Sequence, residues 1–234
     1  MSTPLLVTKL NLPPARQNLV RRERLFQRLD AGLAHGHLLT LVCAPAGFGK
    51  TTLVSDWIYQ HKEAGSERQY VWLTCERTEN DLARFVVYLV AALKKFEQEV
   101  GESVVAALKT TRPPSISVLA TLLINEITRM GADLVLVLDD YHTITAQPIH
   151  EFITYLVDHQ PPEMHLVVVT RSDPPLPLSR LRARGQMTEL RQQELAFSRE
   201  ESAEFLLQTS GLDIAPEHLA ILESRTEGWV AGLQ

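Results

Sequence analysis

Cysteine is nearly absent from this sequence: the 234 residues hold two, Cys43 and Cys75. Both lie inside apolar, strand-like runs (TLVCA and YVWLTC), so each is expected as a buried free thiol in a reducing, cytoplasmic setting rather than as half of a disulfide. Long hydrophobic runs are missing too. The longest apolar stretch, FVVYLVAAL at 85–93, is too short to span a bilayer, and MSTPLLVTKLNLPPARQ has no basic segment leading into an apolar one. Neither a membrane anchor nor an export signal is therefore expected. Nor is there a strong excess of one charge: 23 Lys and Arg stand against 28 Asp and Glu, a net charge of -5, which argues against non-specific nucleic-acid binding by the chain as a whole. The eight histidines show no metal-ligand spacing, and no Ser/His/Asp or Cys/His arrangement stands out.

What is present is an ordinary globular composition with 45% apolar residues, enough for one α/β domain with a full core and a small appended unit. Short β-rich runs at 38–44, 69–75, 133–138, 165–170 and 187–190 alternate with helical spacing at 50–62, 81–98, 117–130 and 148–159. Three of the runs are almost wholly apolar, as strands covered on both faces should be. The pattern predicts a mainly parallel five-stranded sheet with crossover helices, within one domain over 1–195. After residue 195 the texture changes to helix alone. Ser198 and Glu201 form a capping box for a helix running to Gly211, and Pro216 opens another. Residues 196–234 are thus expected to begin a helical unit that the sequence cuts short.

The chemistry concentrates in residues 44–51, APAGFGKT. They match the phosphate-binding pattern G-x-x-x-x-G-K-[ST], with Ala44 at the first glycine, between a predicted strand and a predicted helix. Successive backbone N–H groups of Pro45, Ala46, Gly47, Phe48 and Gly49, proline excepted, would wrap a phosphate at the helix N-terminus. Lys50 would reach the β- and γ-phosphates, Thr51 would hold Mg²⁺, and Thr52 would contact the α-phosphate. Ala44 lies where strand becomes loop, so a small residue can serve there without a positive φ.

The strand LVLVL at 134–138 ends in Asp139 and Asp140, and open α/β sheets bind ligands at the carboxyl ends of their strands. Asp139 is expected at the metal, through water, and Asp140 at the attacking water. Arg171 ends the next strand, where it could sense the γ-phosphate. In LVRRERL at 19–25, Val20 and Arg21 could flank an adenine. The Arg180, Arg182, Arg184 and Arg191 group reads as a solvated helix face.

Taken together, LLVTKLNLPPAR, LVRRERL, APAGFGKTTL, LVLDDYHTI, HLVVVTRSDPPLPL, RLRARGQMTEL, LAFSREE and TEGWVAGLQ occur in one order. In that order the chain resembles the nucleotide-binding module of the MalT-like, LuxR-type large ATP-binding transcriptional regulators, within the STAND class of P-loop NTPases. The resemblance implies a three-layer P-loop fold in which the Arg171 strand lies between the P-loop strand and the Asp139 strand. It places Val20, Arg21 and Arg22 at the adenine end and supports Arg171 as a γ-phosphate sensor. It also implies a closing contact from the appended helical region, where GWVAG leaves Gly228 or Trp229 for the role. Implied as well are ATP and ADP with Mg²⁺, slow hydrolysis, self-association in the ATP state, and sensor and DNA-binding domains in a longer parent. No direct DNA binding is expected of these residues. A P-loop phosphotransferase and an ADP-holding module without turnover are the alternative functions.

Overall fold

The computed structural model describes residues 4–15, 20–111 and 114–210, together with Trp229 and Gly232. Five strands form one wholly parallel sheet: β1 (Leu39–Cys43), β2 (Gln69–Thr74), β3 (Leu134–Asp139), β4 (Met164–Thr170) and β5 (Met187–Leu190), in the spatial order β2-β3-β4-β1-β5. All five fall where the sequence places them, within a residue or so at each end. The order is that implied by the family resemblance, with β4 between β1 and β3.

Alternate side chains of each strand enter two separate cores, which is why these strands read as continuous apolar runs. Leu41, Leu73, Leu136 and Leu166 face the larger core, with α3 (Leu82–Leu93), α5 (Ile116–Met130) and α6 (Gln147–His159). Val42, Trp72, Val137 and Val167 face the other core, with α1 (Glu23–Ala34) and α2 (Lys50–Glu63). The result is a three-layer α/β sandwich. The α1 layer approaches β5 so closely that a Cβ added to Gly32 would lie 2.1 Å from Thr188 Oγ1. Cys43 and Cys75 are buried and free, as expected.

One predicted helix is shorter than its pattern. The helical spacing over 81–98 ends at Leu93, and a separate α4 (Glu102–Leu108) follows, which the periodicity did not single out. Gly101 sets where α4 begins: its φ of 81° turns the chain and its missing side chain leaves room for Val90. The buried Glu126 carboxylate accepts hydrogen bonds from the Gly101 N–H and from the Ser103 backbone and hydroxyl, fixing the start of α4.

Beyond the sheet come α7 (Leu178–Ala183), α8 (Gln192–Leu195) and α9 (Arg199–Ser210). The predicted capping box is formed: Glu201 accepts from the Ser198 N–H at 3.0 Å and the Ser198 hydroxyl accepts from the Glu201 N–H at 3.2 Å. The helix expected from Pro216 and the stop at Gly211 lie outside the described residues. No helix among the described residues is long and apolar enough to cross a membrane.

Candidate functional site

The loop between β1 and α2 has the backbone that a phosphate cradle needs. Gly47 and Gly49 take φ values of 85° and 70°, in the left-handed region open to glycine, while Ala44 is not among the positive-φ residues. Gly49 caps α2, so Lys50 and Thr51 occupy the helix's first turn, where free N–H groups and the helix dipole favour an anion. The Lys50 ammonium is buried and donates to the Pro45 carbonyl at 2.8 Å, inside the loop it is expected to serve. Burial lowers its pKa, Arg171 pushes in the same direction, and Asp140 and Asp139 oppose.

The carboxyl end of β3 meets this loop directly. The Thr51 hydroxyl lies 3.1 and 3.2 Å from the two Asp139 carboxylate oxygens, which joins the two sequence motifs across 88 residues. Asp139 is 3% exposed and also accepts from the Asp140 N–H at 2.9 Å. The hydroxyl of Thr51 and the carboxylate of Asp139 are oxygen donors of the kind that suit Mg²⁺, which takes such groups while keeping several waters. Asp140 is the only described non-glycine residue at positive φ, 52°, and this turn brings its side chain out half-exposed.

Burial, reinforced by the neighbouring Asp140, pushes the Asp139 pKa from an ordinary 3.8 up to about 6. A raised carboxyl pKa means that the native state holds its proton to higher pH than the unfolded chain does. The stabilisation is therefore complete below about pH 4 and is lost as pH rises through about 6. At pH 7.5 the ionised Asp139 costs the nucleotide-free protein on the order of 2–3 kcal/mol. The Asp139→Asn variant, free of ligand, is expected to melt several degrees higher than wild type at pH 7.5, with the gap closing towards pH 4. Thermal melts across that range test this; a gap that does not change with pH would refute it.

Two further groups face the same space. Arg171, just past β4, is exposed and makes no hydrogen bond or ion pair with a described residue, yet it is close enough to depress the pKa of both Lys50 and His142. His142 was not singled out in the sequence. Its Nδ1 is buried without a hydrogen-bond partner, 3.6 Å from Asp140 Oδ1. Only the spacing DxH after an apolar strand marks it in the sequence, and that pattern is too short to stand alone.

The adenine-end residues divide. Val20 is buried, and the exposed Arg21 acts electrostatically on Asp56 of α2. The Arg22 side chain makes structural contacts that the sequence did not indicate. Its guanidinium donates to the Leu195 and Ala196 carbonyls at 2.8 and 3.0 Å, lies 4.9 Å over the Phe197 ring, and pairs with Glu201. It ties the entry to α1 to the junction of α8 and α9. In the arginine group, Arg180 pairs with Asp158, Arg182 with Glu189, and Arg191 with Asp173 and Glu189. The Trp229 indole N–H donates to the Ala46 carbonyl at 2.9 Å, while Gly228 lies outside the described residues.

Residues 18–169 match the family described as the AAA ATPase domain. The chain belongs to that family. This AAA ATPase domain is also 34% identical, over 98% of its length, to the HTH-type transcriptional regulator MalT of Yersinia enterocolitica, and 33% identical over the same share to the MalT of Yersinia pestis. In each case it spans 25% of the relative's own length. Among solved structures, the domain is similar to Cdc6p of Pyrobaculum aerophilum, with a TM-score of 0.56 and 16% identity over 87% of this chain and 53% of that one. It is similar also to a Walker-type ATPase of Pyrococcus abyssi, with a TM-score of 0.54 and 17% identity over 94% and 69% of the two chains. At such identities the structural likeness speaks for the fold alone.

Proposed function

We propose that this AAA ATPase domain is the nucleotide-operated switch of a larger transcriptional regulator, holding ADP at rest and ATP when active, and hydrolysing ATP slowly to return to rest. The observation that carries this reading is the Thr51–Asp139 contact, which brings the phosphate loop and the carboxylate pair into one site. The similarity to the MalT regulators, four times the length of this chain, supports placing it within a longer parent. The sensor and DNA-binding domains would belong to that parent, as would self-association in the ATP state. Residues 1–195 would be the nucleotide-binding domain and 196–234 the start of the helical unit.

In this reading the N–H groups of Ala46 to Thr51 hold the β-phosphate, and Lys50 bridges to the γ-phosphate. Thr51 and Asp139 would hold Mg²⁺, which when bound offsets charge on the β- and γ-oxygens. Asp140 orients a water and takes its proton as the water oxygen bonds to the γ-phosphorus and the bond to the β-bridging oxygen breaks. His142 stands beside that carboxylate, its Nδ1 3.6 Å from Asp140 Oδ1. Arg171 faces the charge spreading over the γ-oxygens. Because Arg171 is exposed and makes no hydrogen bond or ion pair with a described residue, its placement has to be assembled in each cycle, which favours a slow reaction over a fast one.

Pairing with carboxylates commits Arg180, Arg182 and Arg191, three of the four arginines of that group, which favours hydrolysis over transfer to a second phosphorylated substrate. The test is to release and identify the nucleotide that copurifies with the protein and to follow phosphate production. ADP as the main species and turnover below about one per minute are expected, since a switch gains nothing from speed. Rapid multiple turnover without a partner, or phosphate delivered to an added acceptor, would overturn the proposal.

A further inference from the structure

A second cavity adjoins the phosphate loop. It measures about 80 Å³ and lies between the Pro13–Ala15 strap and the face of α2 that carries Thr51, Thr52, Ser55 and Asp56. The strap is fastened on both sides: the Tyr59 hydroxyl donates to the Pro13 carbonyl at 3.1 Å, and Lys95 donates to the Leu10 carbonyl at 2.5 Å and to Asn11 Oδ1 at 2.6 Å. Ser55 is satisfied within its own helix, donating to the Thr52 carbonyl at 3.0 Å. Asp56 is different. Its carboxylate is partly buried and makes no hydrogen bond or ion pair with a described residue.

We propose that Asp56 accepts a hydrogen bond from a ribose hydroxyl of the bound nucleotide, in a sugar subsite covered by the proline strap. The inference rests on the nucleotide-switch reading above and deepens it. Thr52, directly after Thr51, is placed at the α-phosphate, and Asp56 stands four residues on, one turn or roughly 5.4 Å along the same helix face. That is about the step from the α-phosphate of a 5′-nucleotide to its sugar hydroxyls. A cavity of this volume takes the edge of a pentose and not a purine. An ionised carboxylate accepts and cannot donate, so it reads hydroxyl donors and not the ring acceptors of the base. Burial raises the Asp56 pKa, and the charge of Arg21, the residue expected at the base end, opposes this.

The test is calorimetric titration of wild type, Asp56→Asn and Asp56→Ala with ADP, 2′-deoxy-ADP and 3′-deoxy-ADP, with circular dichroism to confirm that each variant is folded. Wild type should bind ADP about tenfold more tightly than at least one deoxy form, the fold-change of one hydrogen bond to a charged acceptor. Asp56→Ala should bind all three at the weaker level, and Asp56→Asn, whose amide oxygen still accepts, should fall between. If Asp56→Ala binds ADP like wild type, or keeps the preference for ADP, the assignment is overturned while nucleotide binding stands. Discrimination against inosine diphosphate but not the deoxy forms would assign Asp56 to the base and equally overturn it. Wild type that binds no ADP at all would bring down the switch reading, and this inference with it.

Discussion

Lys50→Ala is expected to abolish most of the stabilisation that ADP or ATP confers while leaving the nucleotide-free protein nearly as stable as wild type. The ammonium is already desolvated, its pKa lowered by burial and by Arg171, and its one hydrogen-bond partner among the described residues is the carbonyl of the exposed Pro45. Removing it from the empty site therefore strands no buried partner. Removing it from the loaded site withdraws a charge-assisted contact to the phosphates, with a loss of about 100-fold in affinity. At a nucleotide concentration about 100 times the wild-type Kd, ligand binding stabilises by about 2.7 kcal/mol, and a 100-fold weaker site retains about 0.4 kcal/mol. For a domain of this size the melting shift should drop from roughly 5–10 °C to about 1 °C. A variant that keeps the wild-type shift would show that Lys50 does not face the phosphates.

Asp140→Asn should lower ATP turnover by about 10²–10⁴-fold and leave ADP and ATP affinity within about threefold of wild type. The amide has nearly the shape of the carboxylate but cannot take the proton of the attacking water. Asparagine is the informative replacement because Asp140 sits at a φ of 52°, a conformation that asparagine adopts more readily than most residues. Alanine there would mix backbone strain with lost chemistry. Single-turnover phosphate release, beside calorimetry with each nucleotide, separates the effects. Unchanged turnover would remove Asp140 from the reaction, and a joint loss of binding and turnover would mark it as structural.

The candidate site was legible in unequal parts. Residues 44–51 and the pair Asp139–Asp140 could be read because a phosphate cradle and a metal-side carboxylate each need particular residue types at particular spacing. His142 could not, because its importance comes from an unpartnered Nδ1 aimed at Asp140, which depends on the short turn after β3. Arg22 shows what packing adds: long-range contacts commit its guanidinium to carbonyls more than 170 residues away, which no local pattern indicates. In the fold, the strands were recovered because burial on both faces writes itself as an apolar run. The helix predicted over 81–98 ends at Leu93, and the separate α4 was missed because periodicity carries no sign that Gly101 must turn beneath Val90.

By itself the sequence determined the parallel sheet, the glycine loop between β1 and α2 and the acidic end of β3, since each is a local demand of periodicity or of chemistry within a few residues. From the residues alone it could not set the strand order that brings β4 between β1 and β3; there the family resemblance supplied what local pattern lacked. Only the tertiary structure decided that Thr51 meets Asp139, that His142 rather than another polar residue stands by Asp140, and that Asp56 opens into a cavity under Pro13 and Pro14. The first and last of those pairings join segments tens of residues apart, and what selects them is the packing of two cores on opposite faces of one sheet, a property of the whole chain that no single stretch encodes.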